Sequence, residues 1–297
     1  MAENSSSCIA CEGNLVLFGR RLDYEYHRCS SCGTIQLLPM PDEADTALSY
    51  ESEYANVSHY ESDPDRCRAS AGPYYRAIIR VLRDYGVKGK VLDYGTGWGG
   101  LLGMLTDNGF ECQGVEMSSE MAGYCRELGL PVKQGDIKEV KGERYSAIVL
   151  CTVFEHLTDH GRWLSGARQL LENNGLLITL QPTAGFAGLM GRILGLGSLH
   201  RPLPQLQQVF CPPWHTAFFS FEGMKILGRR NGFDLLEIRP APQGRSGGIT
   251  GIAQRCLEHV NRFGWYLMDV LWPLLIAHTF VLKKVDFPRE TSALKPK

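Results

Sequence analysis

Val91-Leu92-Asp93-Tyr94-Gly95-Thr96-Gly97-Trp98-Gly99-Gly100 is the stretch on which the reading of this chain turns. Val91 and Leu92 follow a basic turn, Lys88-Gly89-Lys90, and read as a short buried strand. The pattern then predicts a helix through Leu101, Leu102, Met104 and Leu105, stopping near Asn108-Gly109. A strand that passes through a glycine turn into a helix is a nucleotide-cofactor device. The glycines let a ligand approach the backbone, and the helix N-terminus offers free N–H groups. Gly95, Gly97 and Gly100 fit G-x-G-x-x-G, the dinucleotide pattern, which is weak by itself. Two acids sharpen it. Asp93, at the strand end, suits a cationic ligand better than a pyrophosphate. Glu116 closes the next apolar segment, Gly114-Val115-Glu116, where an acid can accept two ribose hydroxyls in either cofactor class.

Outward from this stretch, residues 87–183 alternate strand and helix with short connections, which implies a parallel sheet covered on both faces. Ligands of such a sheet bind at the carboxyl ends of its strands, where Asp93, Glu116, Asp136 and Cys151–His156 fall. Upstream, Tyr74, Ile78, Ile79, Leu82 and Tyr85 keep helical spacing, predicting a helix from Ser70 to Gly86 with Pro73 in its first turn. Downstream, residues 184–220 break the rhythm with Gly, Leu and Met and then Pro202, Pro204, Pro212 and Pro213. Phe221–Arg230 reads as a helix and Phe233–Ile238 as a strand. Residues 241–262 open as a Gly-Ser-Gly loop and continue as an amphipathic helix. Trp265–Leu282 is the most apolar stretch, but Asp269, Pro273 and His278 interrupt it. The 13 residues between Asp269 and Lys283 fall short of the ~20 that a membrane-crossing helix needs. We read an apolar helix at 262–276 and a strand over Ala277–Val285, with peripheral membrane contact left open by Trp265, Tyr266 and Trp272. Residues 286–297 read as a polar, disordered tail.

The 297 residues, 44% of them hydrophobic, suffice for one large domain plus a small module. A net charge of −1 argues against a basic nucleic-acid surface. Met1–Cys8 has no apolar core, so no secretory signal is expected there. Ten cysteines, four of them in C-x-x-C pairs, do not make a disulfide framework and point to a reducing cytoplasm. Cys8-Ile9-Ala10-Cys11 and Cys29-Ser30-Ser31-Cys32 are 17 residues apart. Each C-x-x-C turn can aim two thiolates at one ion, and four soft ligands suit tetrahedral zinc. Asn14–Phe18 and Tyr24–Arg28 between them read as a hairpin, so residues 1–38 are expected to form a zinc ribbon with a closed, structural site. A redox pair is the alternative. Residues 39–69, with Tyr50, Tyr54 and Tyr60 among acids, read as a linker or as a lid over the cofactor.

Val91–Gly99 resembles motif I of the class I S-adenosylmethionine (SAM) dependent methyltransferases. Glu116 matches their ribose-binding acid, and Gln134-Gly135-Asp136-Ile137 looks like their adenine-binding segment. Tyr145–Leu157 looks like their fourth strand and following loop, and Gly175–Pro182 like their fifth strand. The resemblance spans roughly residues 74–285. It implies an α/β, doubly wound, Rossmann-like seven-stranded methyltransferase sheet over 70–285, with the last strand antiparallel, preceded by the ribbon. The C-x-x-C pairs, Leu37–Pro41 and the tyrosine-rich stretch further resemble methyltransferases of bacterial glycan and secondary-metabolite pathways, whose best understood relatives act on nucleotide-linked deoxysugars. Those relatives carry a further C-terminal domain, which we expect to be absent or much reduced in a chain of this length. Insertions at 184–220 in the family build the acceptor pocket.

The resemblance implies that Gly95 and Gly97 approach the amino-acid end of SAM and that Asp93 accepts from its ammonium group. Glu116 would hold the ribose, and Asp136 with Ile137 the adenine. Thr96, Gly99, Met117 and Cys151 complete the expected cofactor shell. Oxygen or carbon acceptors need a base, and Glu155-His156, after the fourth strand, is the first candidate; Val153 stands where the sugar enzymes often have tyrosine. His215, in the acceptor segment, is the second. The expected function is methyl transfer to O or C of a small-molecule acceptor: a sugar, glycan precursor or natural-product intermediate. Three alternatives stay open: an RNA methyltransferase gripping nucleic acid with the ribbon, a quinone or lipid-linked acceptor, and a SAM-binding module without turnover. Arg20, Arg21 and Arg28, offset by Glu12, Asp23 and Glu25, give the first little support.

Overall fold

The computed structural model describes residues 7–42, 63–194, 210–242 and 277–286. The sequence expectations for 43–62, 195–209, 243–276 and 287–297, including the lid tyrosines and the apolar helix at 262–276, lie outside the described residues.

Seven strands form the main sheet: β4 (Val91–Tyr94), β5 (Cys112–Glu116), β6 (Val132–Gln134), β7 (Tyr145–Cys151), β8 (Leu171–Pro182), β10 (Phe233–Pro240) and β11 (Ala277–Lys284). Their order across the sheet is β10-β11-β8-β7-β4-β5-β6. β4 through β8 run parallel, and β11 inserts antiparallel between β8 and β10. This is the doubly wound sheet with its last strand reversed that the sequence predicts. The chain order reverses at β4, whose neighbours are β5 on one side and β7 on the other, and the chain leaves β4 and β7 toward opposite faces, which opens a crevice at their ends.

The central strands are largely apolar because both of their faces are covered. Alternate residues go to opposite layers. Val91, Ala147, Val149, Ile178 and Val281 share one core with Ile78, Leu82, Leu101 and Leu105. These come from helices α1 (Pro64–Asp84) and α2 (Gly100–Asp107), joined on that face by α3 (Ser119–Glu127). Leu92, Ile148, Leu150, Leu177 and Phe280 share the other core with Trp163, Leu164, Met224 and Leu227. These belong to α4 (His160–Leu170) and α6 (Phe221–Arg230).

Helix α1 starts at Pro64, earlier than the Ser70 read from apolar spacing, so Pro73 lies inside it and not in its first turn. The start is set by chemistry that the spacing does not carry. The Asp63 side chain accepts from the N–H groups of Asp65 and Arg66, and Pro64 stands where no N–H is needed. Asp63→Ala is expected to cost about 1 kcal/mol in a urea denaturation series and to fray the first turn.

A second sheet has the order β1-β2-β3-β9, from β1 (Leu15–Arg21), β2 (Tyr24–Cys29), β3 (Ile35–Leu37) and β9 (Ala217–Phe218). The first two strands are the predicted hairpin. The third reaches far along the chain: Ile35 pairs with Phe218 and Gln36 with Ala217. Tyr26, Ile35, Leu37, Phe210 and Phe218 pack with α5 (Ala184–Leu194) in a core of their own. The cysteine knuckles meet the main domain through Arg230, which donates to the Ala10 carbonyl at 3.0 Å and pairs with Glu12. Ser220 donates to the Cys32 carbonyl. No helix among the described residues is long and apolar enough to cross a membrane.

Candidate active site

The crevice at the carboxyl ends of β4, β5 and β7 is a cavity of about 470 Å³. Its lining includes Asp93, Gly95, Thr96, Gly97, Glu116, Met117, Asp136, Ile137 and Cys151. Gly99, the remaining residue of the expected cofactor shell, is not in the lining. It is the left-handed N-cap of α2 (φ 78°), and a Cβ there would sit 2.6 Å from Leu130 and 2.9 Å from the Cys125 sulfur. Its glycine is demanded by packing of the helix start rather than by access to the cavity.

Asp93 is 1% exposed, and its Oδ2 has no hydrogen-bond partner among the described residues. Burial, and then the charge of Glu116, pushes its carboxyl up to about 8. A buried carboxylate in this condition is complementary to a cation delivered by a ligand. Glu116 ties the loops together: Oε2 accepts from the Gly97 N–H at 2.8 Å and Oε1 from the Ser118 N–H at 2.9 Å. Burial also raises its pKa. Asp136 caps the short turn Ile137–Glu139, accepting from the Ile137 N–H and from the Tyr94 hydroxyl, both at 2.6 Å. Tyr94 and Trp163 meet edge to face beside it, making an apolar wall suited to a planar base. Thr152, after β7, holds φ 56°, a conformation costly for a branched residue and stored here at the cavity rim.

These residues make a fitting cradle for SAM: a carboxylate for the ammonium, an acid beside two glycines for the ribose and an aromatic wall for the adenine. Sequence reasoning missed part of the enclosure. Cys67, Ser70, Ala71, Tyr74 and Tyr75 of α1 line the cavity, as do Trp98, Arg162 and Trp214. The signal for α1 was Asp63-Pro64, a capping pair that would have placed Cys67 and Ser70 on the helix.

The candidate bases are brought together. His156 lines the cavity, and its ring meets that of His215 edge to face at 4.8 Å. The contact spans two segments joined at Thr216, whose N–H and hydroxyl both donate to the Glu155 carbonyl, at 2.8 and 3.0 Å. The Tyr26 hydroxyl, from the second sheet, donates to the His215 carbonyl at 3.0 Å. Burial, with His215 adding, holds His156 well below the usual imidazole range, so the ring is neutral and keeps a lone pair. Glu155 is 2% exposed, is outside the cavity lining, and is pushed up to about 8 by burial.

The four predicted cysteines also converge. Cys8 and Cys32 Sγ are 3.6 Å apart, Cys11 and Cys29 Sγ 3.4 Å, and all four lie within 4.8 Å of one another. A tetrahedral zinc with Zn–S bonds of about 2.3 Å would place its sulfurs roughly 3.8 Å apart, so the cluster fits such an ion and is too open for disulfides. The hydrogen bond shared with Cys8 draws the Cys32 thiol below the usual thiol range.

Among curated proteins, none matches the chain by sequence. Several solved structures share its fold. Didemethyltoxoflavin N1-methyltransferase of Burkholderia thailandensis, solved with S-adenosylhomocysteine, superposes with a TM-score of 0.53 at 14% identity, covering 90% of this chain and 97% of that one. Magnesium protoporphyrin IX methyltransferase of Synechocystis PCC 6803 gives 0.51 at 14% identity, with 82% and 100% covered. The plantazolicin methyltransferase BpumL gives 0.51 at 15%, with 81% and 95% covered. At these identities the likeness speaks for the fold. The sequence itself speaks for the family: the profile described as "Methyltransferase domain" matches residues 68–238, more than half of the chain. The chain belongs to this methyltransferase domain family and is a SAM-dependent methyltransferase.

Proposed function

We propose that the chain transfers the methyl group of SAM to oxygen or carbon of a small-molecule acceptor: a sugar, glycan precursor or other natural-product intermediate. The observation that carries this reading is that Asp93, whose Oδ2 has no hydrogen-bond partner among the described residues, and His156 line one cavity. SAM supplies an activated methyl group on a sulfonium. The chain's residues orient it, keep water out and prepare the acceptor. Asp93 takes the ammonium, Glu116 the ribose, and Asp136 with Ile137 the adenine. Neutral His156, backed by Glu155 and His215, is placed to remove the acceptor's proton. The structural neighbours are named for a porphyrin, a toxoflavin precursor and plantazolicin, and this reading gives the chain a non-macromolecular acceptor as well. The four cysteines hold one structural zinc, which leaves no open position for chemistry.

Calorimetric titration with SAM and with NAD, beside a metal assay, tests the assignment. We expect SAM binding, no NAD binding and about one zinc per chain at the thiolates. NAD binding without SAM binding would sink the reading of Asp93 and the loop after it. The same titration carries a proton signature. Free Asp93, raised to about 8, holds its proton at neutral pH, and a bound ammonium draws the carboxyl back toward its ordinary range. SAM binding near pH 7 should therefore release close to one proton, fading as the pH passes through about 8. The sign for the free protein is the reverse of a salt-bridged acid. Its folded state binds the extra proton between the ordinary carboxylate range and pH 8, so this group's contribution to stability falls as pH rises through that window. A binding enthalpy independent of the buffer's ionisation enthalpy would contradict it.

A further inference from the structure

Glu155, His156 and His215 bring one carboxylate and two imidazoles together, with all three ligand atoms within 4.8 Å of one another. The group is built by structure and not by sequence proximity. Glu155 and His156 stand in the short helical turn Phe154–His156 after β7, and His215 comes from a segment some sixty residues later. Thr216 clamps the two, donating to the Glu155 carbonyl and, through its hydroxyl at 2.6 Å, to the Leu157 carbonyl. Tyr26, itself fully buried, fixes His215 from the other side. A second observation points to a ligand. Glu155 is 2% exposed, and its Oε2 has no hydrogen-bond partner among the described residues. A carboxylate that far from water needs a cation or a donor beside it.

We propose that Glu155, His156 and His215 hold a divalent transition-metal ion, separate from the ion of the four cysteines. Two nitrogens and one carboxylate oxygen suit zinc, cobalt, nickel or ferrous iron, whereas magnesium and calcium prefer all-oxygen sites. Three protein ligands leave coordination positions open. Of the three ligands His156 lines the cavity, so the ion would lie at the cavity's edge. What the ion does there rests on the methyl-transfer reading above; its binding does not. A hydroxyl oxygen on the ion loses its proton to water more readily than a free one. That oxygen then forms the new O–C bond as the S–C bond of SAM breaks and S-adenosylhomocysteine leaves, and the ion keeps its oxidation state. A ligated imidazole has no lone pair for a proton, so in the loaded protein the ion takes over the base's task.

Cobalt(II) titration of the zinc-loaded protein, followed by absorption and by metal counting, tests the site. One cobalt per chain is expected, with the d–d bands of nitrogen and oxygen ligation and without the strong charge-transfer bands of thiolates. Glu155→Gln and His215→Ala should each weaken it by at least about tenfold. The proposal falls if cobalt enters only with thiolate bands, or if neither substitution changes its affinity. SAM titration of the same samples reports that each variant is folded. It also separates the two ideas: a wild-type protein that takes cobalt at this site but not SAM keeps the metal site and loses the methyl-transfer reading.

Discussion

Gly95→Ala is expected to lower stability by about 2–5 kcal/mol and to abolish measurable SAM binding. Two separate costs make up that range. Gly95 holds φ 73°, a left-handed conformation that costs an L-residue roughly 1–2 kcal/mol. The new methyl would also stand 2.6 Å from Val153 Cγ2 and 2.9 Å from Cγ1, and relieving such overpacking costs about 1–3 kcal/mol more. Because Gly95 lines the cavity, the shift that relieves the clash moves the loop carrying Asp93 and Gly97. Val153→Ala separates the two costs. In a double-mutant cycle by urea denaturation, the overpacking share should appear as a coupling of about 1–3 kcal/mol, while the backbone share persists in the double variant. A Gly95→Ala protein that binds SAM like the wild type would remove Gly95 from the cofactor site.

Removing the zinc proposed for the cysteine cluster should damage turnover far more than cofactor binding. The cluster sits on the second sheet, and that sheet carries the supports of His215: the Tyr26 hydroxyl on its carbonyl, the pairing of β3 with β9, and the 2.8 Å bond from the Leu37 N–H to the Thr216 carbonyl. The residues proposed to hold SAM, Asp93, Glu116, Asp136 and Ile137, stand at or just after the ends of main-sheet strands instead. Cys29→Ser, or treatment with a thiol-competing chelator, is therefore expected to lower kcat/KM by about a hundredfold, the scale on which a small misplacement of a reacting group costs rate. The dissociation constant for SAM should change by less than about twofold, a free-energy difference below about 0.4 kcal/mol. Equal losses in both quantities would mean that the ribbon supports the whole fold and not the acceptor side.

The main sheet was legible because its signals are local. Val91-Leu92 and the glycines after them state a strand, a turn and a helix within ten residues, and the same grammar repeats through β5 and β7. The reversed last strand was legible only by resemblance, since nothing in Ala277–Lys284 itself says that it inserts between β8 and β10. Asp93 and Glu116, proposed to meet the cofactor, stood out because each closes an apolar segment. The role of α1 was not, because its apolar spacing begins at Tyr74, whereas its start is set by a cap and a proline. The meeting of His156 with His215 could not be read at all. It depends on Thr216 reaching back to Glu155, a long-range pair of hydrogen bonds with no signature in periodicity.

The partnership of β3 with β9 also sets an order of events during synthesis. Leu37 leaves the ribosome some 180 residues before Ala217. The nascent hairpin already has both cysteine pairs and can gather an ion as soon as they emerge. Its apolar face is another matter. Tyr26, Ile35 and Leu37, all at 0% exposure in the finished fold, lack their long-range cover until α5, Phe210 and Phe218 are made. A segment made early is thus completed late. The placing of His215, beside β9, is finished by the same late event that shields this earlier hydrophobic surface from aggregation.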